Sequence, residues 1–148
     1  MNQLAKYTDQ AYALMRIMAG FMFTFHGAQK ILGILTDMQP PVGSQLWFGG
    51  LIELSCGLLI MAGLKTRWAA FLASGEMAVA YFQFHWKFQL GANFFPIINK
   101  GELAALYCFV FLFISCRGGG IWCLDRKADF EERVSPCAKI SRGGTGET

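Results

Sequence analysis

Four long apolar segments dominate the sequence and restrict the folds that are open to it. They cover about residues 11–33, 46–64, 68–86 and 101–117, the last one with its polar flanks included. A helix needs about 20 mainly apolar residues to cross the hydrocarbon core of a bilayer. The helices of a soluble bundle would each carry a polar stripe, whereas these segments are apolar nearly all round. The sequence therefore predicts an all-α, polytopic membrane protein, a bundle of four transmembrane helices.

The overall composition agrees with that class. The chain has 148 residues, one domain's worth, of which 54% are hydrophobic and 16% charged. Soluble domains average about 45–50% apolar and about 25% charged residues. Residues 1–10 are polar and the apolar run that follows is too long for the core of a signal peptide. We therefore expect the first apolar segment to remain in the protein as a membrane helix.

The positive charges predict how the bundle is oriented. Four spans place both termini and the second loop on one side, and that side carries most of the basic residues: Lys6, Arg16, Lys65, Arg67, Arg117, Arg126, Lys127, Arg133, Lys139 and Arg142. The opposite side carries Lys30, Lys87 and Lys100. Lys and Arg accumulate in short cytoplasmic loops, so both termini are predicted to be cytoplasmic. The net charge of +3 then reflects membrane topology, and no nucleic-acid partner is predicted.

The chain divides into a membrane domain, residues 1–125, and a tail, residues 126–148. The tail is charged at first and then small and polar, which is typical of a disordered cytoplasmic segment. Five cysteines are present without a C-x-x-C pair. Cys116 and Cys123 lie near one membrane face, but their spacing is not that of a redox motif.

Five ionisable residues stand inside or at the mouth of the apolar segments: His26, Lys30, Glu53, Glu76 and Glu102. A charged side chain at the bilayer centre costs about 2.5–3.5 kcal/mol on insertion scales, so it normally faces the bundle interior and has a partner or a task. Helical rise puts His26 and Glu53 at similar depth, with Lys30 and Glu102 closer to the outer surface and Glu76 deeper. We expect His26, Lys30, Glu53 and Glu102 to form one cluster in the outer half, with Glu76 beneath it.

Two main interpretations of this cluster remain open. It is either an ion-pair network that holds the four helices in register, or a polar pocket that binds a ligand head group or relays protons. A metal site is disfavoured because no helix carries a His and a second ligand at metal-binding spacing. An aromatic outer loop, with Phe94 and Phe95, is predicted to lie in the headgroup layer, or else to cover a lateral opening for a lipid-soluble ligand.

Several motifs over residues 15–125 resemble the DoxX family of small bacterial inner-membrane proteins with four transmembrane helices. They are residues 26–30 (HGAQK), 50–54 (GLIEL), 66–70 (TRWAA), 94–97 (FFPI), 99–102 (NKGE) and 118–125 (GGGIWCLD). The sequence departs from the family pattern at Cys123, where relatives often have Ser, and in its longer tail. Neither departure touches the predicted pocket.

The resemblance implies an inner-membrane protein linked to redox chemistry. Some relatives are the small subunit of a thiosulfate:quinone oxidoreductase, another belongs to a membrane complex that handles thiol and superoxide stress, and many have no defined activity. Because no flavin, haem or dinucleotide motif is found, we expect no built-in cofactor, with quinone as the bound molecule and redox-complex subunits or a second copy of the chain as partners. The alternatives are a non-catalytic assembly or chaperone-like protein and, less favoured, a small-solute transporter.

Overall fold

The protein is all-helical over the residues that its computed structural model describes, 2–36 and 39–125. Their elements are α1 (Asn2–Ala5), α2 (Thr8–Leu32), α3 (Gln45–Ala62), α4 (Thr66–Ala80) with a π-helix (Tyr81–Trp86), a 3₁₀ turn (Ala92–Phe94), α5 (Pro96–Asn99) and α6 (Glu102–Arg117). The prediction of an all-α fold is confirmed for these ranges. The predicted tail, residues 126–148, lies outside them.

The four long helices run up and down, and glycines bring α2 and α3 into close contact. A Cβ atom added at Gly27 would lie 2.2 Å from the backbone nitrogen of Leu54, and one added at Gly20 would lie 2.6 Å from that of Met61. Small residues of this kind let two helix backbones approach each other closely. The contact fixes the register in which residues of α2 meet residues of α3.

The outward faces of the bundle are apolar. Trp68 is 78% exposed, and large hydrophobic residues are also exposed on the other long helices, among them Leu14, Leu58, Leu106 and Phe109. Judged by length and composition alone, α3 is the one helix of the described residues that is long and apolar enough to cross a membrane. The helices α4 and α6 are shorter, with 15 and 16 residues, and α2 contains the charged residues Asp9, Arg16 and Lys30.

At one end of the bundle, a segment that we call the strap, residues 118–125, is held by Arg16. This arginine is fully buried. Its guanidinium donates hydrogen bonds to the carbonyl oxygens of Ile60 (2.5 Å), Met61 (2.9 Å) and Trp122 (2.7 Å). The side chain thereby joins α2 to the last turn of α3 and to the strap. We call this part of the molecule the strap end.

The strap finishes on the first turn of α4. The Asp125 carboxylate accepts hydrogen bonds from the backbone N–H groups of Lys65 (2.8 Å) and Thr66 (2.7 Å) and from the Thr66 hydroxyl. Burial alone would raise the pKa of Asp125, but these hydrogen bonds and the charge of Arg16 outweigh it and hold that pKa below its ordinary value. The aspartate therefore satisfies backbone donors that the start of a helix leaves unpaired.

Candidate functional site

A cavity of about 470 Å³ lies at the other end of the bundle, which we call the cavity end. Its wall is mostly apolar and aromatic, with Phe23, Phe48, Ile52, Met77, Phe84 and Tyr107 among the lining residues. Its polar lining residues are His26, Lys30, Gln45, Glu53, Glu76, His85 and Lys100. A largely apolar pocket of this size with a few converging polar groups is the usual form of a small-molecule site.

An ion pair joins α2 to α3 on the cavity wall. Lys30 Nζ lies 2.6 Å from Glu53 Oε1, and the two side chains are 31% and 4% exposed. The pair forms where Gly27 and Gly50 bring the two helices together. The other carboxylate oxygen, Glu53 Oε2, is buried and has no hydrogen-bond partner among the described residues. Lys30 thus bonds one oxygen of the Glu53 carboxylate, and the other oxygen can accept a hydrogen bond from a ligand.

Glu76 enters the cavity from α4, on the side facing α3. A Cβ atom added at Gly49 would lie 3.2 Å from Glu76 Oε1, so any larger residue at position 49 would crowd the carboxyl group. Glu76 Oε2 is a second buried oxygen without a hydrogen-bond partner in the described part of the chain. Native proteins leave few buried polar atoms unpaired, and a binding role is one explanation for those that remain.

His26 lies on the cavity wall beside an aromatic cluster. Its ring meets that of Tyr107 edge to face, with 6.5 Å between the centroids. Tyr107 in turn stacks on Phe111, which packs against Phe23. Four of the five predicted site residues, His26, Lys30, Glu53 and Glu76, therefore surround one cavity.

Glu102 is placed elsewhere. It is exposed at the start of α6 and lines a separate shallow groove with Ile97, Lys100, Leu103 and Leu106. Phe94 and Phe95, predicted to lie in the headgroup layer or to cover a lateral opening, are exposed, contact each other edge to face and lie outside the cavity lining. The first turn of α6 still reaches the cavity through Leu103 and Ala104, so it is the exposed face of that turn that carries Glu102. A role for Glu102 at the rim stays a prediction.

Sequence reasoning missed His85 as a cavity residue. It comes nine residues after Glu76. In an unbroken α-helix the two would therefore lie about 180° apart. The π-helix over Tyr81–Trp86 widens the turn, which rotates the following residues, and both Phe84 and His85 line the cavity. His85 Nδ1 lies 3.2 Å from the carbonyl oxygen of Asn99, in the connection to α6. No sequence signal marks this turn, although π-helical turns are frequent at functional sites.

The described residues contain no group of three or more His, Cys, Asp or Glu side chains arranged to hold a metal ion. Cys56, Cys108, Cys116 and Cys123 are free thiols. Cys123 belongs to the strap, where its Sγ donates to the carbonyl oxygen of Gly120 at 3.0 Å. Cys116 is exposed at the end of α6. These four cysteines lie outside the cavity lining.

Apolar outward faces, buried ionisable groups and one helix long enough to cross a bilayer define the class of the molecule as a helical membrane protein. The family model described as DoxX matches residues 11–86. A protein of Haemophilus influenzae, described as an uncharacterized protein, is 42% identical over 131 residues, which cover 86% of this chain and 97% of the relative. No solved structure matches the chain. The chain belongs to the DoxX family.

Proposed function

We propose that the chain is a multi-pass protein of the bacterial inner membrane, crossing it four times with both termini in the cytoplasm. The four long helices occupy the four apolar segments, with α4 extended by its π-helix to Trp86. Basic residues at the strap end, Lys65, Arg67 and Arg117, support a cytoplasmic position for that end. The cavity then lies in the outer half of the bilayer.

We further propose that the protein is a quinone-interacting or accessory subunit of a membrane redox system. The observation that carries this is the pairing of an aromatic-lined cavity with two buried carboxyl oxygens, one of Glu53 and one of Glu76, that have no hydrogen-bond partner within the described ranges. A quinone has a flat ring that suits aromatic walls and oxygens at its edges that need hydrogen-bond partners. Its lipid tail can remain in the bilayer while the head group occupies the cavity.

The polar residues have distinct roles in this proposal. Lys30 and His26 donate hydrogen bonds to an oxygen of the head group. Glu53 and Glu76 exchange protons with it, since carboxyl groups in partly dry sites serve as acids and bases. The quinone is a bound molecule and not a built-in cofactor, so electrons come from a partner subunit of the redox system.

A non-catalytic assembly role is the second candidate, and the exposed aromatic segment between α4 and α6 favours it. Phe88, Phe94, Phe95 and Ile97 are all more than half exposed there. A transport role is less favoured because Arg16 and the strap fill the opposite end of the bundle.

The test is to fill the cavity with a larger side chain and to identify which small molecules stay bound to the purified protein. In Gly49→Leu, the new side chain enters the cavity beside Glu76; Gly75→Leu is the matched control, because Gly75 has no atom within 4 Å of an added Cβ. Full-length protein is purified in mild detergent and its bound small molecules and proteins are identified by mass spectrometry. Wild type and Gly75→Leu are expected to retain a quinone and Gly49→Leu to lose it. A partner protein held equally by all three, without quinone, would replace this proposal with the assembly role.

A further inference from the structure

We infer that the cavity distinguishes the two redox forms of its ligand and binds the quinol, the reduced form, in preference to the quinone. This inference rests on the proposed function and adds to it which chemical form the site recognises. Its basis is the hydrogen-bonding capacity that the cavity wall leaves unused: two carboxyl oxygens, Glu53 Oε2 and Glu76 Oε2, that lack partners among the described residues.

The Lys30–Glu53 pair offers one donor and one acceptor side by side. Lys30 carries three N–H donors, one of which is directed at Glu53 Oε1 at 2.6 Å. Glu53 accepts from that cation through Oε1, and its free oxygen Oε2 offers an acceptor to a ligand. A quinol hydroxyl accepts from Lys30 and donates to Glu53. A quinone carbonyl also accepts from Lys30 but has no proton for Glu53, and a buried acceptor is left unpaired.

Glu76 adds a second acceptor on the facing helix. Its carboxyl group keeps accepting capacity whether or not it carries a proton. It stands opposite Gly49 on the cavity wall. A quinol has a second hydroxyl across its ring, for which Glu76 provides an acceptor. The same side chain gives a quinone at most one hydrogen bond, and only when it is protonated.

The remaining polar residues of the cavity are His26, Gln45, His85 and Lys100. Lys100 can only donate, and both a carbonyl oxygen and a hydroxyl oxygen accept from it, so it serves either form. Neutral histidine and the Gln45 amide also carry an acceptor, and the bond between His85 Nδ1 and the Asn99 carbonyl oxygen leaves Nε2 as the acceptor of that ring. These acceptors favour the quinol in the same direction as the glutamates, whose free oxygens lack partners among the described residues and are expected to contribute most of the difference. Leaving one buried acceptor unpaired corresponds to about a tenfold loss of affinity.

The experiment measures the affinity of the full-length protein, in lipid nanodiscs, for a short-chain benzoquinone and for the same compound reduced to its quinol under anaerobic conditions. Wild type is expected to bind the quinol about tenfold more tightly. Equal affinity, or tighter binding of the quinone, overturns the inference and leaves the proposed function standing. Binding of neither form overturns both.

Three Glu→Gln variants identify the residues responsible. In Glu53→Gln the free oxygen is replaced by a group that can turn an N–H donor to the ligand, so the preference for quinol is expected to vanish or reverse. Glu76→Gln is expected to reduce it, and this variant leaves the Lys30–Glu53 pair intact in case Glu53→Gln folds poorly. Glu102→Gln is the control, because Glu102 lies outside the cavity. A preference unchanged in both Glu53→Gln and Glu76→Gln contradicts the inference.

Discussion

The two ends of the bundle both bury ionisable side chains, but they satisfy them in different ways. At the strap end, both terminal nitrogens of Arg16 donate to backbone carbonyl oxygens, three of them at 2.9 Å or less, and its Nε alone has no partner in the described residues. At the cavity end, Glu53 and Glu76 each keep a buried oxygen without a partner in the described residues. Arg16 is enclosed by the backbone that it bonds, whereas the two carboxyl groups belong to residues that line the cavity.

The difference distinguishes a buried charged side chain that stabilises the fold, Arg16, from buried carboxyl groups that are placed to bind a ligand. Backbone carbonyl oxygens have fixed positions, so the bonds from Arg16 depend on one arrangement of α2, α3 and the strap. The carboxyl groups border a cavity of about 470 Å³, which leaves room for a molecule to complete their hydrogen bonds. Substitutions should therefore affect stability at the strap end and binding at the cavity end.

The largest effect on stability is expected from Arg16→Met. The substitution removes the partly buried hydrogen bonds to the carbonyl oxygens of Met61 and Trp122 and leaves that of Ile60 with the Gly63 N–H alone. We expect a loss of about 3 kcal/mol, because each unsatisfied buried acceptor costs about 1–3 kcal/mol and neighbouring losses are not additive. Thermal unfolding of the purified protein, followed by circular dichroism, measures it.

The matched control for that change is Arg67→Met at the same end. Arg67 donates to the carbonyl oxygen of Cys116 at 2.7 Å but is exposed. Its loss should matter much less than that of Arg16, since solvent or lipid head groups can replace it. Equal destabilisation by the two substitutions would show that burial of Arg16 is not what makes the strap end stable.

The second prediction concerns the Lys30–Glu53 pair. Glu53→Leu alone leaves Lys30 without its partner and should destabilise the protein by about 1–3 kcal/mol, less than the about 3–5 kcal/mol of a fully buried pair because the Lys30 side chain is 31% exposed. The double variant Lys30→Met/Glu53→Leu should recover most of that stability, because an apolar pair can replace a buried ion pair. It should nevertheless bind no quinone.

Thermal unfolding and quinone binding, measured on the same preparations, separate these outcomes. A double variant that is as unstable as Glu53→Leu would mean that the pair holds the helices in register. In that case the cavity end would resemble the strap end, and the comparison between them would fail.

The third prediction is a pH dependence at the strap end. The folded-state pKa of Asp125 lies below its ordinary value, so its stabilising contribution is present above that value and is lost as the pH falls through the folded-state pKa. The melting temperature of wild type should fall below about pH 4. Asp125→Ala should lose about 1 kcal/mol at neutral pH, as for other helix caps, and should show a weaker acid dependence.

The control is Asp125→Asn, which keeps a side-chain oxygen for the N–H groups of Lys65 and Thr66 but has no proton to gain. It should be more stable than Asp125→Ala at neutral pH. An acid dependence equal to that of wild type in both variants would assign the effect to another group.

The sequence predicts the helices and most of the cavity residues because their signals are local or periodic. Apolar length marks the four segments, and ionisable residues inside them mark His26, Lys30, Glu53 and Glu76. Helical rise places Glu53 level with His26, and the structure brings both to one cavity. The bonds that Arg16 makes with the strap join residues more than 100 positions apart, and spacing along the chain does not reveal such contacts.

The errors of placement have a geometric cause. The prediction for Glu102 assumes regular helices that enter and leave at one surface, and the same assumption puts His85 on the face of its helix away from Glu76. The π-helix changes the face on which His85 lies, and the exposed start of α6 puts Glu102 in a neighbouring groove. Both depend on the connection between α4 and α6, where Lys87, Phe88, Gly91 and Lys100 have positive φ angles that apolar periodicity does not predict.

The smallest expected effect tests the π-helix itself. His85→Phe removes one hydrogen-bonding group from the cavity wall and should weaken quinone binding about threefold, because a single neutral hydrogen bond contributes about 0.5–1.5 kcal/mol. Phe82→Leu is the control on the same turn, since Phe82 is exposed and does not line the cavity. If the turn were α-helical, His85 would face away from Glu76 and both substitutions would leave affinity unchanged. A loss confined to His85→Phe therefore supports a cavity end that is shaped by the π-helix and assembled around its ligand.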